Sequence, residues 1–192
     1  MARPKQFQPE YALGKAMEAF WGRGYEATSV QDLVNATGVS RQSLYDTFGG
    51  KRDLFLACID HYIRTINGRI PQILGAPGSP LANVRRAMTE MANVFAAQNG
   101  RGCLVSNTVV EMGDHDSAIA EKVRSNLRFV RAIIHGALDR SVEAEELPRS
   151  TDTAALSRFL LCTLQGLVVM ARAGAEPGEV QEVTGVALSV LG

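Results

Sequence analysis

The sequence predicts an all-α protein: a three-helix N-terminal domain followed by a larger helical one. Three observations carry that prediction. Apolar residues recur at helical spacing through most of the chain, beginning with Leu13, Ala16, Met17, Phe20 and Trp21. Glycine, proline and serine clusters cut the pattern into segments of helical length, as at Gly22-Arg23-Gly24, Gly49-Gly50 and Gly75-Ala76-Pro77-Gly78-Ser79-Pro80. No segment alternates apolar and polar residues as a half-buried strand does, and no internal repeat is visible.

The first helix stops at the Gly22-Arg23-Gly24 turn, where glycine supplies a left-handed cap. A second, short helix opens at Thr28 or Ser29, since Thr28-Ser29-Val30-Gln31 has the spacing of a capping box. It buries Val30, Leu33 and Val34 and ends before Gly38. Ser40 is a good N-cap for a third short helix, with Leu44 and Phe48 facing inward. A longer helix then carries Leu54, Phe55, Cys58, Ile59, Tyr62 and Ile63 on one side. Beyond the break at residues 75–80, Leu81, Val84, Met88, Met91 and Phe95 mark another helix. Residues 99–102 form a turn. The segment from Cys103 to Met112 is apolar nearly all round, which predicts a buried helix. Asp114 or Asp116 starts a long helix, closed by Pro148. Two strongly apolar helices follow, from Thr151 to Ala173 and from about Pro177 to Leu191.

Composition sets the class. The chain has 192 residues, 46% hydrophobic and 21% charged, with no net charge, which suits an ordinary globular protein. No run approaches the roughly 18 apolar residues of a membrane span, so no membrane association is expected. The start MARPKQFQPE has no apolar core and does not read as a secretory signal. Three scattered cysteines without metal spacing favour a reducing cytoplasm. No metal or cofactor is implied.

Function is concentrated in residues 28–48. Two short helices joined by a tight turn at Thr37-Gly38-Val39 form a helix-turn-helix, whose second helix can enter the major groove. That helix exposes Arg41, Gln42, Ser43, Tyr45, Asp46 and Thr47. Arginine reads guanine and glutamine reads adenine through paired hydrogen bonds. Ser43 and Tyr45 suit phosphates. Thr28, at a helix start, and Lys51, just past the motif, suit phosphates too, and Arg3 and Lys5 form a loose arm. Residues 1–53 hold seven basic and six acidic side chains. Positive charge must therefore be placed on one face rather than be abundant.

The run Thr28-Ser29-Val30-Gln31-Asp32-Leu33-Val34 … Gly38-Val39-Ser40 … Leu44-Tyr45 … Phe48 … Lys51-Arg52-Asp53-Leu54, preceded by Phe20 … Gly24-Tyr25, resembles the DNA-binding signature of the TetR family of repressors (TetR/AcrR type). The resemblance covers roughly residues 10–56, and the remainder resembles the family only in helical layout. It departs at Thr47, where the family often has His or Tyr, and at Arg52-Asp53. It implies a homodimer on a palindromic operator of double-stranded DNA, with a small-molecule effector in the larger domain that respaces two reading heads and releases DNA. It carries Tyr45 and Lys51 over as phosphate contacts. The domains are then 1–53, which binds DNA, and 54–192, which binds effector and dimerises.

For the effector pocket the candidates are Met88, Met91, Phe95, Cys103, Asn107, Glu111, Met112, Leu127, Val130 and Leu164. Methionine walls adapt to varied shapes, while Asn107, Thr108, Glu111 and His115 are polar residues able to orient a ligand. Taken singly, each apolar member equally suits a core. Cys103, in Arg101-Gly102-Cys103-Leu104, stands near a helix start, where a thiol pKa falls, which fits a sensing role; the competing reading is a small buried residue that packs. Cys58 and Cys162 lie on apolar stripes and read as structural. Phe159, Thr163, Gly166, Met170, Val183, Ala187 and Val190 exceed what one monomer needs to bury, which predicts a two-fold, four-helix dimer interface.

Two other classes compete. A helical ligand-carrier or interaction module without DNA binding fits the near-neutral N-terminal segment. A Cys-dependent enzyme would need Cys103, His115 and Asp114 to converge, but no phosphate loop or metal run supports catalysis.

Overall fold

The computed structural model describes residues 7–97, 100–112 and 116–192, apart from the side chains of Ile66 and Asn67. Arg3, Lys5, Asp114 and His115 lie outside the described residues. Ten α-helices and a π-helical turn occur among the described residues, and no strand.

Helix α1 (Pro9–Arg23) begins with proline at its first position, where the missing N–H costs nothing, and ends at Gly24. Gly24 takes φ +89°, a conformation that side chains disfavour. Helix α2 (Val30–Thr37) starts one residue later than the Thr28-Ser29-Val30-Gln31 spacing suggests. Ser29 is the cap: its hydroxyl accepts the Asp32 N–H at 3.1 Å, and the Asp32 carboxylate accepts the Ser29 N–H at 2.9 Å. Aspartate at the third position completes the box where Gln31 does not. Gly38, left-handed at φ +68°, closes α2, and Ser40 caps α3 (Arg41–Phe48). Phe20, Leu33, Leu44 and Leu54 are wholly buried and clamp α1, α2, α3 and α4 (Lys51–Tyr62) together. Phe55 fills the remaining space, its ring 4.9 Å from both Phe20 and Tyr25. Each such burial contributes roughly 1.5–3 kcal/mol, which is how helices of eight residues persist.

A π-helical turn (Ile63–Asn67) and α5 (Arg69–Leu74) lead from α4 into the larger region. There α6 (Pro80–Ala96), α8 (Ser117–Glu143) and α9 (Thr153–Arg172) pack on one another. Helix α10 (Pro177–Ser189) lies against α6 and α9. Short α7 (Leu104–Met112) packs on α8 and touches α4. Asp116 caps α8 by accepting the N–H groups of Ala118 and Ile119.

Two expectations are corrected. Helix α7 is not buried all round: Val109 is 40% and Val110 85% exposed. And α9 is, by length and mean hydropathy, apolar enough to cross a membrane, contrary to the reading that no segment approaches that limit. Its apolar residues serve two faces. Leu160, Leu164, Leu167 and Val168 are buried in the chain, while Phe159 and Val169 point outward.

Candidate nucleic-acid interface and effector cavity

Helix α3 presents Arg41, Gln42 and Asp46 outward, with Ser43, Tyr45 and Thr47 half-buried beside them. The Arg41 guanidinium stands 5.4 Å from the Tyr45 ring centre. Gln42 donates to Asp46 Oδ1 at 2.7 Å, which holds its amide at the surface. Ser40 donates to the Ser43 hydroxyl at 3.0 Å. The Lys51 ammonium, at the start of α4, lies 4.3 Å over the Tyr25 ring. Among the described residues neither Arg41 nor Lys51 forms an ion pair, whereas Arg23 pairs with Asp32 and Arg52 with Asp116. Among the described residues of the N-terminal domain, Arg41 and Lys51 are thus the basic side chains without an ion partner. Thr28 is placed differently from the expectation. It is wholly buried, and its hydroxyl donates to the Gly24 carbonyl at 2.6 Å, so that hydroxyl does not face a phosphate.

The two ion pairs fix the head from both ends. The Ser29 hydroxyl, the Ser29 N–H and the Arg23 guanidinium together hold the Asp32 carboxyl down to about 2. Arg52, with the Ile119 and Ala118 N–H groups, does the same for Asp116, also to about 2. The Arg52–Asp116 pair ties the first turn of α4 to the cap of α8.

Between the head and the larger region lies a cavity of about 780 Å³, a volume suited to a drug-sized ligand. Phe20, Trp21, Arg23, Gly24, Tyr25 and Phe55 form one wall. Leu104 and residues 106–111 on α7, Leu127 on α8, and Gln165, Val168, Val169, Arg172 and Ala173 on and just past α9 form the others. Trp21 Nε1 donates to the Gly102 carbonyl at 3.1 Å, and Arg101 sits 4.6 Å over the Trp21 ring. Most telling is Glu111. Its carboxylate accepts the backbone N–H groups of Tyr25 at 3.1 Å and Glu26 at 2.9 Å, so α7 grips the turn that leads into α2. A side chain at position 24 would stand 2.8 Å from that carboxylate, which is why the turn needs glycine there.

Sequence reasoning and structure differ over the cavity wall. Of the ten candidates, Asn107, Glu111 and Leu127 line the large cavity. Met91, Phe95, Cys103, Val130 and Leu164, again with Leu127, line a separate chamber of about 20 Å³ behind it. Met88 and Met112 line neither and are core. For the aromatic wall from α1 and α4 periodicity predicts only core, since it marks burial and not the empty space beside it. Cys103 is buried, 6% exposed, against the Tyr62 phenol, whose pKa is raised by burial. Cys58 is buried too, and burial pushes its thiol up; Cys162 is exposed, not on an inner stripe. No group of three or more His, Cys, Asp or Glu able to hold a metal occurs among the described residues.

On the face of α9 and α10, Phe159, Gly166, Val183 and Val190 are exposed and Thr163 and Met170 half-buried, but Ala187 points into the chain at 6% exposure. Val169 and Val186, 63% and 72% exposed, extend this apolar surface in places the sequence reading passed over.

A helix-turn-helix head joined through a shared wall to a ligand-sized chamber defines a one-component DNA-binding regulator. The comparisons identify which kind. Residues 12–58 match the family model described as bacterial regulatory proteins, tetR family, and residues 80–185 match the tetracyclin repressor-like, C-terminal domain. The uncharacterized HTH-type transcriptional regulator YezE of Bacillus subtilis is 35% identical over the full length of both chains. The HTH-type transcriptional repressor ComR of Escherichia coli is 32% identical over 97% of this chain and 90% of that protein. The structure superposes with a TM-score of 0.90 on a cysteine mutant of the TetR family transcriptional regulator CifR complexed with 26-bp double-strand operator DNA, at 26% identity and 98% coverage of each chain. The chain belongs to the TetR family of bacterial transcriptional regulators, and the enzyme reading falls with that membership.

Proposed function

We propose that this chain is a ligand-released repressor: a homodimer that binds a palindromic operator in the cytoplasm and leaves it when a small molecule fills the 780 Å³ cavity. The observation that carries this reading is the shared wall. Six of the cavity's lining residues belong to the DNA-binding head or to α4, and Glu111 hydrogen-bonds the head's backbone from the opposite wall. An occupant therefore touches the head directly. A ligand shifts an equilibrium only through such differential contacts. The high similarity to an operator-bound relative supports taking the gripped arrangement as the DNA-binding one.

Arg41 and Gln42 are the proposed base readers, with Ser43, Tyr45, Thr47 and Lys51 on phosphates. The exposed apolar surface of α9 and α10 is the proposed dimer face, since patches of this kind mark interfaces. Two-fold pairing through that face would bring two heads to one palindrome.

The test is a gel shift on DNA flanking the coding region, over a salt series. Specific binding that weakens steeply with salt is expected. Replacing Tyr45 and Lys51 together by alanine should lower affinity at least about tenfold and flatten the salt slope by about one or more. Specific, salt-sensitive binding that survives both replacements would contradict the assignment of those contacts. A folded dimer that shifts no flanking or selected DNA would contradict the repressor reading and favour a ligand carrier.

A further inference from the structure

Behind the large cavity, the chamber of about 20 Å³ has room for a single water molecule. Its twelve lining residues include no charged side chain. One of them, Asn126 on α8, is buried at 6% exposure, and its Oδ1 has no hydrogen-bond partner among the described residues. Buried amide oxygens are nearly always partnered, so an orphan here points to a missing guest. The partition between the two spaces is thin. Ser106, Leu127 and Gln165 line both, and the Ser106 hydroxyl donates to Gln165 Oε1 at 2.5 Å across it, joining α7 to α9. Both polar partners are half-buried side chains able to turn aside.

We propose that Asn126 is the inner anchor of the effector. The effector's apolar body fills the aromatic-walled outer cavity. Its head is an uncharged hydrogen-bond donor such as a hydroxyl, which passes the Ser106–Gln165 partition and donates to Asn126 Oδ1. An ionised head is disfavoured there, because the chamber offers no opposite charge and burying an unpaired charge is costly. A neutral head replaces the water that the chamber fits and restores the missing bond. This inference rests on the proposed effector role of the cavity.

The experiment uses the full-length dimer and a matched pair of probes, 1-octanol and octanoate, titrated while the fluorescence of Trp21 is followed. Trp21 is the sole tryptophan of the chain and lines the outer cavity. Octanol is expected to bind at least about tenfold more tightly than octanoate, and Asn126→Leu to remove that preference by weakening octanol alone. Gln165→Ala, which opens the partition without touching the anchor, should strengthen octanol binding; it also keeps the test open if Asn126→Leu does not fold. Three results would overturn the proposal: no octanol binding, octanoate binding as tightly or more tightly with its carboxylate at the Arg172 rim, or octanol binding indifferent to both replacements. Operator binding by the same protein, measured in parallel, separates failure of the subsite from failure of the repressor reading.

Discussion

The reading head and the effector region are built from the same kind of element but held together differently. In the head, α2 and α3 are each eight residues long, too short to be stable alone, and both are pinned at their starts and on their inner faces. Serine caps fix their starts, left-handed glycine ends α2, and Leu33 and Leu44 are wholly buried. The effector region has helices of up to 27 residues, which need fewer local restraints. It uses that surplus to leave space: a large cavity, and a small chamber lined by an orphaned amide. One region gives up freedom to present a fixed surface to DNA. The other keeps incomplete packing and is tied to the head through Glu111, Gly102 and Asp116.

That contrast can be broken most sharply in the head. Leu44→Ala removes a wholly buried side chain from an eight-residue helix and should cost about 2–5 kcal/mol of unfolding free energy in urea titration. Val110→Ala, on the half-open cavity wall, should cost well under that, because 85% of Val110 already faces solvent. Equal costs would erase the distinction between a pinned head and a loosely filled chamber.

Next in size is Gly24→Ala. It forces a side chain into a positive φ and against the Glu111 carboxylate, so a loss of about 1–3 kcal/mol is expected by thermal unfolding. Acid should act on the joints. Asp32 and Asp116 have folded pKa values of about 2, below the ordinary value, so their contribution is complete above roughly pH 4 and is lost as pH falls toward 2. Asp116→Asn should flatten the fall in melting temperature over that window. The smallest effect belongs to Arg149→Ala, whose partner Glu145 is also at the surface; a change within about 0.5 kcal/mol is expected.

The head was largely legible in the sequence because its boundaries are written in residues with one strong local preference: Gly24, Gly38, Ser40 and Gly49 each stand where only a few conformations are open. The error at Thr28 was of register. Thr28 and Ser29 are both able caps, and the difference lay three residues on, where Asp32 accepts the return bond. The cavity was much less legible. Periodicity marks Met88, Phe20 and Phe55 alike as inward-facing, and all three are buried, yet only Phe20 and Phe55 also line the cavity. Whether an inward residue meets a neighbour or a void depends on how helices far apart in sequence are spaced. Polar residues on apolar faces were the better guide, as Asn107 and Glu111 show. Asn126 sits on a buried face of α8 and was passed over, though it carried the same signal.

The central claim is that α7 holds the head in its DNA-binding setting through Glu111. The most direct measurement compares the operator affinity of Glu111→Ala with that of the unaltered dimer, in the absence of any small molecule and with folding verified by circular dichroism. Loss of both bonds to the Tyr25 and Glu26 N–H groups should weaken operator binding about tenfold or more at unchanged helix content. Operator affinity identical to that of the unaltered protein would contradict the account.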